Sequence, residues 1–293
     1  MTIERQFQFI PTDTGQCYVA TYQNTDKKST TGIILVPPIG HEYFRCHHWM
    51  TETSVALAEQ GFYVLRLDGP GQGDSTGDWV HSTPQQWIDA INVVKTWGRD
   101  HLAIRRWAAL GIRMGGSLLQ LASLQNLLTF RVIAAWQPIV QGTDYLNNLR
   151  AAHQVMIRDH RRFWLSQIGN TISESLTKEW MQKNIQQNNA EECLGFYYGP
   201  SWLEWMQAIT MKAMAPASQY QKSQSIWLSD KHTLKNLPEA TAHIDGAAGS
   251  EWIVQTTEDD INWFDPNHIE QRIYATDAKM QLVDALVKYA FRK

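Results

Sequence analysis

The chain has 293 residues, enough for one large domain or one domain carrying an insertion. With 43% hydrophobic residues, 19% charged residues and a formal net charge of -3, it has the balance of a soluble globular protein and lacks the basic excess that nucleic acid or an anionic membrane surface would require. Cys17, Cys46 and Cys193 are far apart and show no CxxC spacing, which argues against a zinc site or a disulfide framework and for reduced thiols.

The N-terminal RQFQFIPTDTGQCYVATYQ alternates apolar and polar residues around Thr-Asp-Thr-Gly, the pattern of an antiparallel hairpin. The apolar run TGIILVPPIG, the short amphipathic helix SVALAEQ and the buried strand opening GFYVLRLDGPGQGDS then form a right-handed parallel crossover. Thr83 caps the next helix and Pro84 occupies its first turn, with Trp87, Ile91 and Val94 on one face. RRWAALGI reads as a strand, MGGSLLQLASLQNLL as a helix and FRVIAAWQPIV as a further strand. From about Gly142 to Gln221 the pattern turns helical, polar and Trp-rich with no clear β run, so residues 142–221 read as an inserted helical cap. SQSIWLSD and GSEWIVQTT supply two last strands, and an amphipathic helix closes the chain. The resulting division is an α/β core over 1–141 and 222–293 with the cap between them, built on a mostly parallel sheet. No apolar span is long enough for a bilayer and no secretory signal opens the chain, so the expected location is cytoplasmic.

Ligands of such sheets gather at the carboxyl ends of the strands, in the loops after Val36, Leu67, Leu110, Leu228 and Thr256. The loop after Leu110 carries Gly111-Ile112-Arg113-Met114-Gly115, a strand-turn-helix run of the kind that holds the serine of a Gly-x-Ser-x-Gly elbow. Arginine cannot be that nucleophile. A permanently charged fork at the positive end of a helix instead suits a carboxylate, phosphate or sulfate, while the alternative is a structural ion pair with an acid such as Asp68. Backbone N–H groups of Ile39 and Met114 lie where oxyanion donors are expected. His41, Glu42 and Arg45 in the first loop and Asp68 in the second are substrate-binding candidates, with Glu42 and Arg45 expected to pair. His41, His47 and His48 do not have the geometry of a metal site on a helix, and no metal or other cofactor is expected. The glycine-rich second loop after Asp68 lacks the Lys-Ser/Thr of a phosphate-binding loop and reads as a rigid turn. For a triad, Asp230 and His268 fit the acid and base by chain order; His243 falls too early and Ser117 is a turn too far along its helix. Cys46 is an unconventional nucleophile candidate. Thirteen tryptophans, among them Trp164, Trp180, Trp202 and Trp205, either pack a helical layer or face a ligand cavity.

VPPIGHEYFR, LRLDGPGQGDSTGDW, ALGIRMGGSLL and AAWQPIVQGTDYLNNL together resemble the α/β-hydrolase superfamily, and within it the exosortase A system-associated hydrolases; the late NWF matches an aromatic pair seen there. The resemblance implies an α/β-hydrolase fold with a degenerate elbow, and His41 departs from the small or acidic residue usual at its position. Three functions follow as expectations. In the first, the chain binds an anionic, partly apolar small molecule between core and cap, with Arg113 as anchor and Asp230 and His268 available for non-standard chemistry. The second is an active ester or thioester hydrolase or acyltransferase; the third is a non-catalytic protein docking a partner enzyme, or a homodimer.

Overall fold

A computed structural model describes residues 2–27, 29–168, 189–214, 224–230, 252–259, 261–265 and 271–291. The chain opens with β1 (Ile3–Thr12) and β2 (Gly15–Asn24), then alternates β3 (Thr31–Val36), α1 (His41–Glu59), β4 (Tyr63–Leu67), α2 (Pro84–His101), β5 (Arg106–Ile112), α3 (Met114–Leu124) and β6 (Val132–Trp136). Between β6 and the next sheet strand lie α4 (Gly142–Ile168), the short strands β7 (Glu191–Cys193) and β8 (Phe196–Tyr198), α5 (Pro200–Ala208) and α6 (Met211–Met214). The described elements end with β9 (Gln224–Asp230), β10 (Trp252–Thr257) and α7 (Thr276–Ala290).

Eight strands form one sheet in the order β1-β2-β4-β3-β5-β6-β9-β10. The β1–β2 and β2–β4 pairs are antiparallel, and the remaining pairs are parallel. The period-2 alternation of strands divides their side chains between two cores. Ile34, Val36, Leu65, Leu67 and Ala109 pack with α2 and α3 on one face. Ile33, Leu35, Val64, Ala108, Leu110 and Ile112 pack with α1 and α7 on the other. Helix α2 starts where the sequence says: the Thr83 hydroxyl accepts from the Gln86 N–H while the Gln86 side chain accepts from the Thr83 N–H, and Pro84 follows the cap.

Two local expectations are corrected. Helix α1 begins at His41 rather than near Ser54, because Gly40, at φ 60°, turns the chain directly out of the Pro-Pro loop and lets the apolar side of Tyr43, Cys46, Trp49 and Met50 reach the core. The segment between β6 and β9 also contains an antiparallel hairpin, β7–β8, whose three-residue strands are too short to show a period in the sequence. Among its tryptophans, Trp202 is fully buried against Trp79, Trp87 and Trp205, so it packs a layer; Trp180 and the side chain of Trp164 lie outside the described residues.

The turn from β5 into α3 works only with glycines. A Cβ on Gly115 would collide with the carbonyl oxygens of Pro37 and Val36, the latter at 2.7 Å, and one on Gly111 would lie 2.5 Å from the Gly116 Cα. Gly115→Ala and Gly111→Ala are therefore expected to lower stability by about 1–3 kcal/mol each, read as a shift of the urea midpoint at constant slope.

Candidate functional site

β5 ends at Ile112 and α3 begins at Met114, so the chain reverses on Arg113 alone. Arg113 has φ 51° and ψ -118°, a region that costs a non-glycine residue about 1–3 kcal/mol and persists only where the surroundings enforce it. Here the main chain does so: the Arg113 N–H donates to the Trp136 carbonyl at 2.9 Å, and the Arg113 carbonyl accepts from the Ser117 N–H at 3.1 Å. The Ser117 hydroxyl is buried and donates to the Ile139 carbonyl at 2.8 Å, which removes it from consideration as a nucleophile.

The Arg113 side chain folds over the elbow into a buried set of partners. Its Nε and Nη2 both lie 3.1 Å from Glu42 Oε1, and Nη1 donates to the Gln137 carbonyl at 3.1 Å. The guanidinium carbon stands 4.7 Å from the Trp263 ring centroid, with Tyr145 and Phe264 at 5.8 and 5.9 Å. Glu42 is fully buried and Arg113 only 9% exposed, so the pair is held away from screening water. The ion-pair alternative thus takes a different acid from the one expected. Asp68 instead accepts from the Asp74 N–H at 3.2 Å and bonds the Tyr43 hydroxyl, closing the glycine-rich loop; burial raises its carboxyl above the usual range. The expected Glu42–Arg45 pair does not form either. Arg45 Nη1 instead donates to the carbonyls of Asn262 and Trp263 at 2.9 and 3.0 Å in the loop before α7, while Glu42, one turn earlier on α1, is engaged by Arg113.

His41, the first residue of α1, has its Nε2 3.0 Å from the Trp263 carbonyl. A carbonyl only accepts, so Nε2 carries the proton and Nδ1 is left as an acceptor; burial lowers the pKa of the ring and keeps it neutral. Tyr145 of α4 and Tyr198 of β8 flank the same place, Tyr145 ring-to-ring with Phe264 at 5.6 Å and Tyr198 with its hydroxyl over Gly40. Among the described residues the N–H groups of Ile39 and Met114 make no hydrogen bond, so both remain available as donors at the elbow. A groove of about 360 Å³ is lined by Trp79, His81, Phe196 and Tyr197, and Trp79 packs edge-on against Tyr198.

Other candidates fall away from this centre. Cys46 is completely buried, and burial pushes its thiol well above the ordinary range, which disfavours the thiolate that a nucleophile needs. His47 meets Arg66 at 3.0 Å and His48 meets Glu52 at 3.2 Å, each on its own side of α1. Asp230 closes β9, but its side chain, like all of His243 and His268, lies outside the described residues. The contributors that sequence reasoning missed are Gln137, Tyr145, Tyr198 and the roles of Trp263 and Phe264. Gln137 adopts φ 44°, and its side-chain oxygen accepts from the Trp263 indole.

Glu42→Gln removes the charge that compensates Arg113 and is expected to cost about 3–5 kcal/mol, of which Glu42→Gln combined with Arg113→Met recovers a large part; a urea double-mutant cycle measures the coupling. His41 generates a pH dependence. Its native pKa lies below the ordinary 6.5, so the unfolded chain binds more protons as pH falls, and stability declines as pH drops below about 6.5. His47 and His153 shift in the same direction. His41→Gln is therefore expected to reduce, without abolishing, the fall in Tm between about pH 7 and pH 5.

No protein-family model matches the chain, and no curated protein matches it either. Solved structures do. Est1E from Butyrivibrio proteoclasticus with bound ferulic acid aligns with TM-score 0.61 at 15% identity, over 97% of this chain and 100% of that one. The esterase PF2001 of Pyrococcus furiosus aligns with TM-score 0.58 at 13% identity, over 98% and 92% of the two chains. XC6422 from Xanthomonas campestris, an α/β serine hydrolase without a lid, gives 0.54 at 13% identity, over 99% and 97%. At these identities the likeness is one of architecture, and with its mostly parallel sheet flanked by helices the chain has the α/β-hydrolase fold.

Proposed function

We propose that this chain uses the α/β-hydrolase fold as a binding scaffold and does not carry out serine-nucleophile ester hydrolysis. One observation carries the reading: the sharp backbone turn that presents a nucleophile in this fold presents Arg113, whose guanidinium is engaged by Glu42, the Gln137 carbonyl and the face of Trp263. The nearest serine on α3 is committed to the Ile139 carbonyl, and Cys46 is sealed in the core. The ligand sits at the elbow between the sheet and the helical cap, where Tyr145 and Phe264 supply aromatic surface and the N–H groups of Ile39 and Met114 supply donors.

The cationic residue at the turn suggested an anionic ligand. Glu42 neutralises that charge inside the protein, so an incoming carboxylate or phosphate would have to share the guanidinium with an existing partner. Binding through hydrogen bonds and aromatic contact rather than net charge is the reading the partners favour.

The protein is expected to give no burst and no turnover with p-nitrophenyl acetate or butyrate above buffer, and no labelling with a fluorophosphonate probe. Turnover that persists in Cys46→Ala, or labelling of any serine, overturns the reading.

A further inference from the structure

Around the elbow, four buried side-chain atoms have no hydrogen-bond partner among the described residues: His41 Nδ1, Glu42 Oε2, the Tyr145 hydroxyl and the Tyr198 hydroxyl. Native proteins seldom leave such atoms unsatisfied, and four in one neighbourhood is a pattern rather than an isolated defect. They share one neighbourhood by geometry. Glu42 follows His41 on the first turn of α1, Tyr145 and Glu42 flank the same guanidinium, and the Tyr198 hydroxyl stands over Gly40, the residue before His41. Phe264 joins the set, packing against both Tyr145 and His41 at 5.6 and 6.3 Å between centroids.

The chemistry of these atoms is lopsided. His41 Nδ1 accepts, since Nε2 carries the proton toward the Trp263 carbonyl. Glu42 Oε2 also accepts, being the free oxygen of a carboxylate already paired through Oε1. The two phenols donate or accept as needed. A carboxylate has no proton to give, and a phosphate brings negative charge beside the Glu42 carboxylate, so either would set its oxygens against these two acceptors. An organic cation has protons to give, but it would meet the like charges of Arg113 and Arg45, and the Trp263 ring it would seek already carries both guanidinium groups. A hydroxyl group suits all four atoms, because each gives one proton and takes up to two.

Building on the binding reading above, we propose that the elbow takes a neutral, hydroxyl-rich molecule, a polyol or sugar, whose O–H groups donate to His41 Nδ1 and Glu42 Oε2 and accept from the Tyr145 and Tyr198 hydroxyls. The aromatic sides of Tyr145 and Phe264 offer flat apolar surface to its C–H faces.

The test uses glycerol, myo-inositol and methyl α-D-glucopyranoside as probes, with sodium acetate, inorganic phosphate and methylammonium chloride as contrasts at constant ionic strength. Saturable binding is read by ligand-observed NMR and calorimetry on the full chain. Tyr145→Phe/Tyr198→Phe deletes two hydroxyls that no described residue bonds, so the variant is expected to fold with an unchanged or raised Tm. At least one polyol is expected to bind the wild type saturably and to bind the variant at least tenfold more weakly, with no binding of the three charged probes. The proposal is overturned if none of the three polyols binds, if binding is unaffected in the double variant, or if acetate or phosphate binds in their place; a crystal structure grown with the polyols that shows ordered water alone at the four atoms overturns it equally. These outcomes are independent of the fluorophosphonate result, so the binding scaffold and its ligand class stand or fall separately.

Discussion

The pairing of Glu42 with Arg113 joins segments of this molecule that are far apart in sequence. Two charges removed from water are stable only when their geometry is good, and the surrounding residues satisfy the guanidinium and one carboxylate oxygen, Oε1, while Oε2 has no partner among the described residues. The Gln137 carbonyl takes one guanidinium nitrogen, and the Trp263 ring covers its face. The Gln137 side chain in turn holds the Trp263 indole, while His41 and Arg45 grip the Trp263 carbonyl from the same helix that supplies Glu42. The start of α1, the turn before α3, the end of β6 and the loop before α7 therefore form one cooperative unit, although they are far apart in sequence.

Arg113 is long enough to leave the turn, cross to α1 and pair with Glu42 there, so its charge links two segments that the main chain does not connect.

Much of the frame was legible in the sequence because it rests on short-range rules. The β1–β2 hairpin announced itself by alternation around Thr-Asp-Thr-Gly, and the α2 start by Thr83 and Pro84. The elbow position of Arg113 followed from a strand running into glycines. What was not legible depends on tertiary distance. Glu42 and Arg45 on α1 and Asp68 after β4 all lie beyond the carboxyl ends of the neighbouring strands β3 and β4, and nothing local decides which acid meets which base; α1 beginning at His41 instead of near Ser54 is what turns Glu42 inward. Gln137 carries a positive φ that its residue type does not advertise. Tyr145 and Tyr198 come from α4 and β8, and the three-residue strand containing the latter has no readable period.

The turn at residue 113 is fixed by Gly111, Gly115 and Gly116 and by main-chain bonds to Trp136 and Ser117. None of these supports touches the identity of the side chain mounted there. Backbone support and side-chain pairing are thus separate at the apex: glycines and main-chain bonds set the bend, and the long side chain mounted on it ties that bend to the start of α1.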